Sequence, residues 1–362
     1  MEQDLFNSQS PHRFHSFQST SGHPGGFGPV LGVSVQEGLP AQRDAMRCWR
    51  RVKSHGDIPG PRSGAASVVV GSKLFVFGGY GGNGRLDDFH EFDFETKVWS
   101  KVEYNGPSPG VRENNGVVEY RGKLYLFGGY NGSAWLNDFH EFDLATRSWR
   151  TVEPRGSPPH SRFGYVSVVH ANRFVLFGGY DGSNWLNDTH EYNFDTQRWS
   201  PVLTMGQTPS IRSCPSWCKE GNKVFVFGGY DGVRRMNDFF ACDLDTYTWT
   251  QIPCGGPVEA VPSPRYFHAC AMHLSKLYLF GGYNGSERLN DLYEFDFHTL
   301  CWKLLHGDSS EMTQRSVRRQ QQQLQQQQLQ QQQLQLTQQH HRRQQQQQFP
   351  LGGDGGGSHG VR

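Results

Sequence analysis

The chain has 362 residues, and 35 Lys and Arg stand against 34 Asp and Glu, so its formal net charge is +1. That balance excludes a globally basic nucleic-acid binder, and apolar runs of only a handful of residues exclude a membrane-spanning helix. Glycine is 44 of 362 and aromatics are 13%, a composition of short strands and many turns rather than of helices.

Residues 1–48 are rich in Ser, Gly, Gln, Pro and His without periodicity and read as a disordered segment. The opening Met1-Glu2-Gln3-Asp4 has no basic stretch leading into an apolar one, so no secretory signal is expected. The seven cysteines are an odd number in no compact framework, which reads as reduced thiols in a cytoplasmic or nuclear protein.

From Trp49 to 306 the chain is periodic. A Gly pair followed by Tyr recurs at Gly78-Gly79, Gly128-Gly129, Gly178-Gly179, Gly228-Gly229 and Gly281-Gly282. A Trp follows each first Gly by 21 residues, at Trp99, Trp149, Trp199, Trp249 and Trp302. An Arg precedes it by 16, at Arg62, Arg112, Arg162, Arg212 and Arg265. The period is 50, with one longer step of 16 residues from Trp249 to Arg265. Each period predicts four strands. In the first repeat these are Ala65–Val70, Lys73–Phe77 ending at the Gly pair, a third around Phe89–Asp93, and a fourth starting at Trp99. Leu74, Phe75, Val76 and Phe77 are apolar in succession, so the second strand is expected to be buried on both faces. An Asp or Asn three residues before a Thr, as in Asp93…Thr96, marks the reversal into the fourth strand. One such sheet cannot bury both faces alone, so the repeats must stack around an axis as the blades of an all-β propeller. Five complete four-stranded blades result. Trp49 opens an orphan N-terminal strand, which leaves two alternatives: a closed five-blade ring with one strand over, or a six-blade ring lacking three strands.

The repeated columns bear on chemistry. Two Gly after an apolar strand suggest a phosphate loop, but no Gly-x-Gly-x-x-Gly opens a helix and no Lys-Ser or Lys-Thr follows. They read instead as strand ends where backbones approach closely. Trp and Arg recur in every repeat, as packing residues do and catalytic residues do not. Trp is expected to fill the space between blades, and Arg to donate to carbonyls or acidic neighbours. His90, His140 and His190 share a column with Phe240 and Tyr293, which is a strand position rather than a set of metal ligands converging on one ion. Cys214 and Cys218 have a zinc-compatible spacing without a second pair, and are expected as thiols on the first strand of the fourth repeat. No cofactor or metal is expected. The residues Arg85, Trp135, Trp185, Arg235 and Arg288 vary only between Arg and Trp in the loop after the second strand. Both types dominate protein-binding hot spots, and ring symmetry would gather these loops at one end. With Arg234 and the neighbouring Tyr80, Tyr130, Tyr180, Tyr230 and Tyr283 they form a candidate partner-binding face. The competing reading is that these long side chains only shield the rim.

The Arg, Gly-Gly-Tyr, Leu-Asn-Asp and Trp columns resemble the kelch repeat, over residues 49–306. Phe177-Gly178-Gly179-Tyr180-Asp181-Gly182-Ser183-Asn184-Trp185-Leu186-Asn187-Asp188 and the opening Trp49-Arg50-Arg51-Val52 resemble most the propeller of the leucine-zipper-like regulator family. That resemblance implies a substrate adaptor of cullin-3 ubiquitin ligases, whose BTB domains follow the propeller. Kelch-type iron enzymes resemble a Glu-x-x-x-Asp-x-x-x-His pattern, which Glu191, Asp195 and Trp199 break. The expectation is therefore a non-enzymatic protein-binding scaffold, with an actin-associated or assembly protein as the alternative and a kelch metalloenzyme as a third.

Residues 307–362 close the chain as a low-complexity tail. The stretch 320–348 holds 20 Gln, with Leu324, Leu329 and Leu334 every five residues, a spacing that fits no regular coiled coil. Self-association through this tract is expected. The last 50 residues carry six Arg against Asp354 alone, and nucleic-acid binding through this basic end is a minor reading.

Overall fold

The computed structural model describes residues 51–307, apart from Pro154, Val258 and Glu259. The segment 1–48, Trp49 and the Gln-rich tail lie outside the described residues. Five sheets form, one per repeat, each built on four antiparallel strands, and the described residues contain no α-helix. Blade 1 consists of Ala66–Val70, Lys73–Tyr80, Arg85–Asp93 and Val98–Lys101. Blade 2 begins at Gly116–Tyr120, blade 3 at Val166–His170, blade 4 at Ser216–Glu220 and blade 5 at Ala269–His273.

Several boundaries differ from the sequence reading. The second strand does not stop at Phe77 but runs on through the Gly pair to Tyr80. The third begins at Arg85, well before Phe89. Between them the register shifts: Phe77 faces Phe89, whereas Gly79 faces Leu86. This bulge needs backbone that other residues avoid. Gly78 has φ +65° and Gly79 +99°, and a Cβ on Gly78 would lie 2.6 Å from the Arg112 carbonyl oxygen. The orphan strand expected at Trp49 is not seen in its described part, since residues 51–54 are not strand. The first extended segment is instead His55–Gly56, and it reveals a fifth element of the blades. His55 and Gly56 pair in parallel with Val98 and Trp99 on the outer edge of blade 1. Arg155–Gly156 and Met205–Gly206 do the same on blades 3 and 4, and single bridges at Asn105 and Gly255 serve blades 2 and 5. Each linker thus covers the edge that the next blade would otherwise leave unpaired.

Inter-blade packing holds the core. Trp149 joins Phe77 and Phe89 of blade 1 to Phe142 of blade 2. Trp199 stands in the same way between Phe127 and Phe139 of blade 2 and Tyr192 of blade 3, and Trp249 packs on Phe177. Trp302 meets Phe227 and Phe239. Trp99 touches Phe92 of its own blade and is only half-buried. Backbone bonds link the same neighbours. The amides of Gly79, Gly129, Gly179 and Gly229 donate to the carbonyls of Arg112, Arg162, Arg212 and Arg265 in the following blade. Among the described residues no bond of this kind joins blade 5 back to blade 1.

Three residues after the repeated Arg, a side chain reaches into the preceding blade. Tyr165 donates to the Phe127 carbonyl at 2.5 Å, and the buried His268 ring lies 3.1 Å from the Phe227 carbonyl. Burial, helped by Arg265, pushes His268 down to about 3. The unfolded chain, with an ordinary His, therefore binds a proton between about pH 6.5 and pH 3 that the folded chain refuses. Stability is full above pH 6.5 and is expected to fall below it, steepening to about 1.4 kcal/mol per pH unit. H268Y keeps a donor for the Phe227 carbonyl, and urea titrations of this variant are expected to give a flatter profile between pH 6.5 and 4.

Candidate partner-binding face

Two layers build one end of the ring. The lower layer is a buried clamp that recurs in every blade. Arg62 Nη1 donates to the Gly78 carbonyl at 3.0 Å, and both its terminal nitrogens reach the Asp88 carboxylate, at 2.5 and 2.8 Å. Arg112 holds Gly128 and Asp138, Arg162 holds Gly178 and Asp188, Arg212 holds Gly228 and Asp238, and Arg265 holds Gly281 and Asp291. The forked guanidinium fits a carboxylate edge-on while satisfying the carbonyl that the bulge leaves free. These arginines are buried, and their chemistry is positional. The partner aspartates close the Leu-Asn-Asp column, which sequence reading noted without pairing it to the Arg, although each lies 26 residues after its Arg.

The histidine column completes the clamp. His90, His140 and His190 each place Nε2 2.8–2.9 Å from Asp88, Asp138 and Asp188. Burial works to raise these three carboxyls, but the hydrogen bonds from His and Arg overcome it and hold them well below the usual carboxylate range. Among the described residues no cluster of His, Cys, Asp or Glu is placed to hold a metal ion. Cys214 is not on the first strand of blade 4. It precedes that strand with φ +52°, while Cys218 is within it, and both thiols are buried. Burial raises both well above an ordinary thiol, which makes them poor nucleophiles.

The upper layer carries the variable Arg and Trp residues. They are not in the loop but open the third strand, each paired with a Tyr: Tyr80 with Arg85, Tyr130 with Trp135, Tyr180 with Trp185, Tyr230 with Arg235 and Tyr283 with Arg288. The first four lean across to the next blade. The Arg85 guanidinium lies 5.2 Å from the Tyr80 ring and 4.8 Å from the Tyr130 ring. Trp135 packs on Tyr130 at a tilt at 4.8 Å and meets Tyr180 edge-on at 5.8 Å, and Trp185 bridges Tyr180 and Tyr230 likewise. The glycine of the next loop makes room. A Cβ on Gly132 would lie 3.2 Å from Arg85, on Gly182 2.6 Å from Trp135, on Gly232 2.4 Å from Trp185 and on Gly285 2.8 Å from Arg235. The result is a continuous aromatic and cationic ribbon, half-buried, whose members both bind neighbouring blades and show a face to solvent. Arg288 ends it. It is exposed, while a Cβ on Gly82 of blade 1 would meet nothing within 4 Å. Arg234 sits at a loop tip, where its Nε donates to Asp231 at 3.2 Å.

The repeat and its geometry match known proteins. The family model described as the KLHDC2/KLHL20/DRC7 Kelch-repeats domain matches residues 43–218 and 208–321, more than half of the chain. Two curated proteins of Dictyostelium discoideum share shorter stretches. A Rho GTPase-activating protein, gacHH, is 42% identical over 55 residues, 15% of this chain and 4% of that protein. A probable serine/threonine-protein kinase is 48% identical over 42 residues, 12% of this chain and 3% of that protein. The chain spans only a few percent of both relatives, about one repeat's length, so neither activity transfers with the match. What the family model, the repeat columns and the five blades share is the kelch repeat, and the chain belongs to the kelch-repeat family.

Proposed function

We propose that this propeller is a non-enzymatic protein-binding scaffold that holds a partner on the face bearing the Tyr, Arg and Trp ribbon. One observation carries the reading: five blades bring large aromatic and guanidinium side chains to the same end of the ring, the side-chain types that dominate binding energy in interfaces. The finer proposal is that the partner is a client presented to a ubiquitin ligase, as the resemblance to leucine-zipper-like regulators implies. Self-association through the Gln-rich tail and a cytoplasmic or nuclear setting belong to the same proposal. The ribbon also packs blade on blade, so exposed loop tips make the cleaner probe. A photoreactive amino acid placed at Ser133 or Ser183 should cross-link a partner in cells, whereas Glu95 or Ala145, in turns at the opposite ends of the third strands, should not. Adducts from the second pair, or none from the first, would overturn the reading. Cullin-3 in the partner's complex would support the finer proposal, and actin in its place would overturn it.

A further inference from the structure

Within the ribbon one guanidinium lacks what its counterpart has. Arg85, between blades 1 and 2, donates from Nε to the Glu113 carboxylate at 2.8 Å. Glu113 directly follows the clamp residue Arg112. Burial pushes the Glu113 carboxyl up and Arg85 draws it back down, so this ion pair is enclosed. The corresponding place after Arg265 holds Tyr266. Arg235 therefore meets no carboxylate among the described residues. Its guanidinium lies among three rings, 5.0 Å from Tyr230, 5.8 Å from Tyr266 and 5.9 Å from Tyr283, and its Nε is buried without a hydrogen-bond partner.

The surroundings add to this. Tyr266 stacks on Tyr230 at 5.3 Å and meets Phe267 at a tilt at 4.8 Å, and Phe267 is 40% exposed. Arg288 follows on the same edge, exposed and without an ion pair among the described residues. Val233, two residues before Arg235 at the loop tip, is 86% exposed. The nearby carboxylates are engaged: Asp231 accepts from Arg234 and two backbone amides, and Glu287 accepts from Asn284 at 3.5 Å. An aromatic floor thus carries two cations that no carboxylate among the described residues neutralises, at a site where the same architecture elsewhere uses one.

We propose that the sector formed by blades 4 and 5 binds an acidic peptide segment of a partner protein, with a Glu or Asp side chain taking at Arg235 and Arg288 the part that Glu113 plays at Arg85. This rests on the protein-binding reading above and names the partner's chemistry. A carboxylate there gains charge-assisted, forked hydrogen bonds over a partly desolvated surface, while the apolar residues beside it lie on Phe267 and Val233.

The test is selection of displayed random 12-residue peptides on the full chain. The expected pool is enriched in Asp and Glu over the starting library. A selected peptide should bind at least tenfold more weakly to R235M/R288M, which keeps the side-chain stems, and should weaken as salt rises. Y266E places the carboxylate of Glu113 beside Arg235 and should block the same peptide without lowering the melting temperature. K101M, on the exposed outer strand of blade 1, should leave binding unchanged. A pool without acidic enrichment, or acidic peptides that bind the R235M/R288M and Y266E chains as they bind the wild type, would overturn the proposal. If the Ser133 and Ser183 cross-links appear while no acidic peptide is selected, the face stands and its acidic partner falls. If the cross-links fail as well, the face itself falls.

Discussion

Replacing Trp199 with alanine is expected to lower stability by about 3–5 kcal/mol, the range for emptying a fully enclosed large aromatic site. The indole is 0% exposed, and four rings from two blades surround it: Phe127, Phe139, Phe174 and Tyr192, with centroids 5.4–5.6 Å away. No single neighbour can collapse into the space, because each is tied to a different strand. Its Nε1 is buried without a partner, so W199F retains most of the ring contacts, loses no hydrogen bond, and should cost about 1 kcal/mol. The internal control is Trp99. It is half-buried and touches Phe92 alone among the described rings, so W99A should cost about 1–2 kcal/mol. Urea unfolding followed by circular dichroism gives the order. Equal losses for W99A and W199A would show that the column acts within each blade rather than between blades.

Breaking the Arg265 clamp is expected to cost as much by another route. Arg265 and Asp291 have side chains 0% and 7% exposed, and the guanidinium also serves the carbonyls of Gly281 and Ser263. R265M keeps the volume but strands a buried carboxylate and two carbonyls, for an expected loss of about 3–5 kcal/mol. In R162M the stranded partner is Asp188, whose side chain is 40% exposed and can be hydrated. That variant should lose about 2–3 kcal/mol. R265K should behave nearly as badly as R265M, since an ammonium cannot fork across a carboxylate while holding a carbonyl. The same urea experiment separates the three. A neutral R265M would mean that the clamp follows from the fold rather than holding it.

Much of this architecture was legible because the demands of packing recur. A Trp that must fill a gap between blades, a Gly pair that must turn a bulge and an Arg that must satisfy it reappear every 50 residues, and repetition lifts such columns out of the noise. The limits of the strands were less legible. Lys73–Phe77 reads as a strand ended by glycine, yet Gly78 and Gly79 continue it, because a glycine with positive φ serves a bulge as well as a terminus. The short parallel strand at His55–Gly56 left no apolar pattern at all. It exists because backbone groups on the edge of Val98–Lys101 need partners, and a linker of any polarity can supply them.

By itself, then, the sequence determined the class of fold, the five complete repeats and the columns that hold them, since these depend on local alternation and on a fixed repeat length, and left open whether the ring has five or six blades. Tertiary structure alone decided what the Arg and Trp residues of the ribbon do. Arg85 and Arg235 occupy the same column and read alike in the chain, but one faces Glu113 and the other Tyr266. That difference arises across a blade junction, between side chains about 30 residues apart in the chain, where stacking rather than strand periodicity chooses the neighbour. Charge compensation is a property of that neighbour and becomes visible only once the blades are side by side.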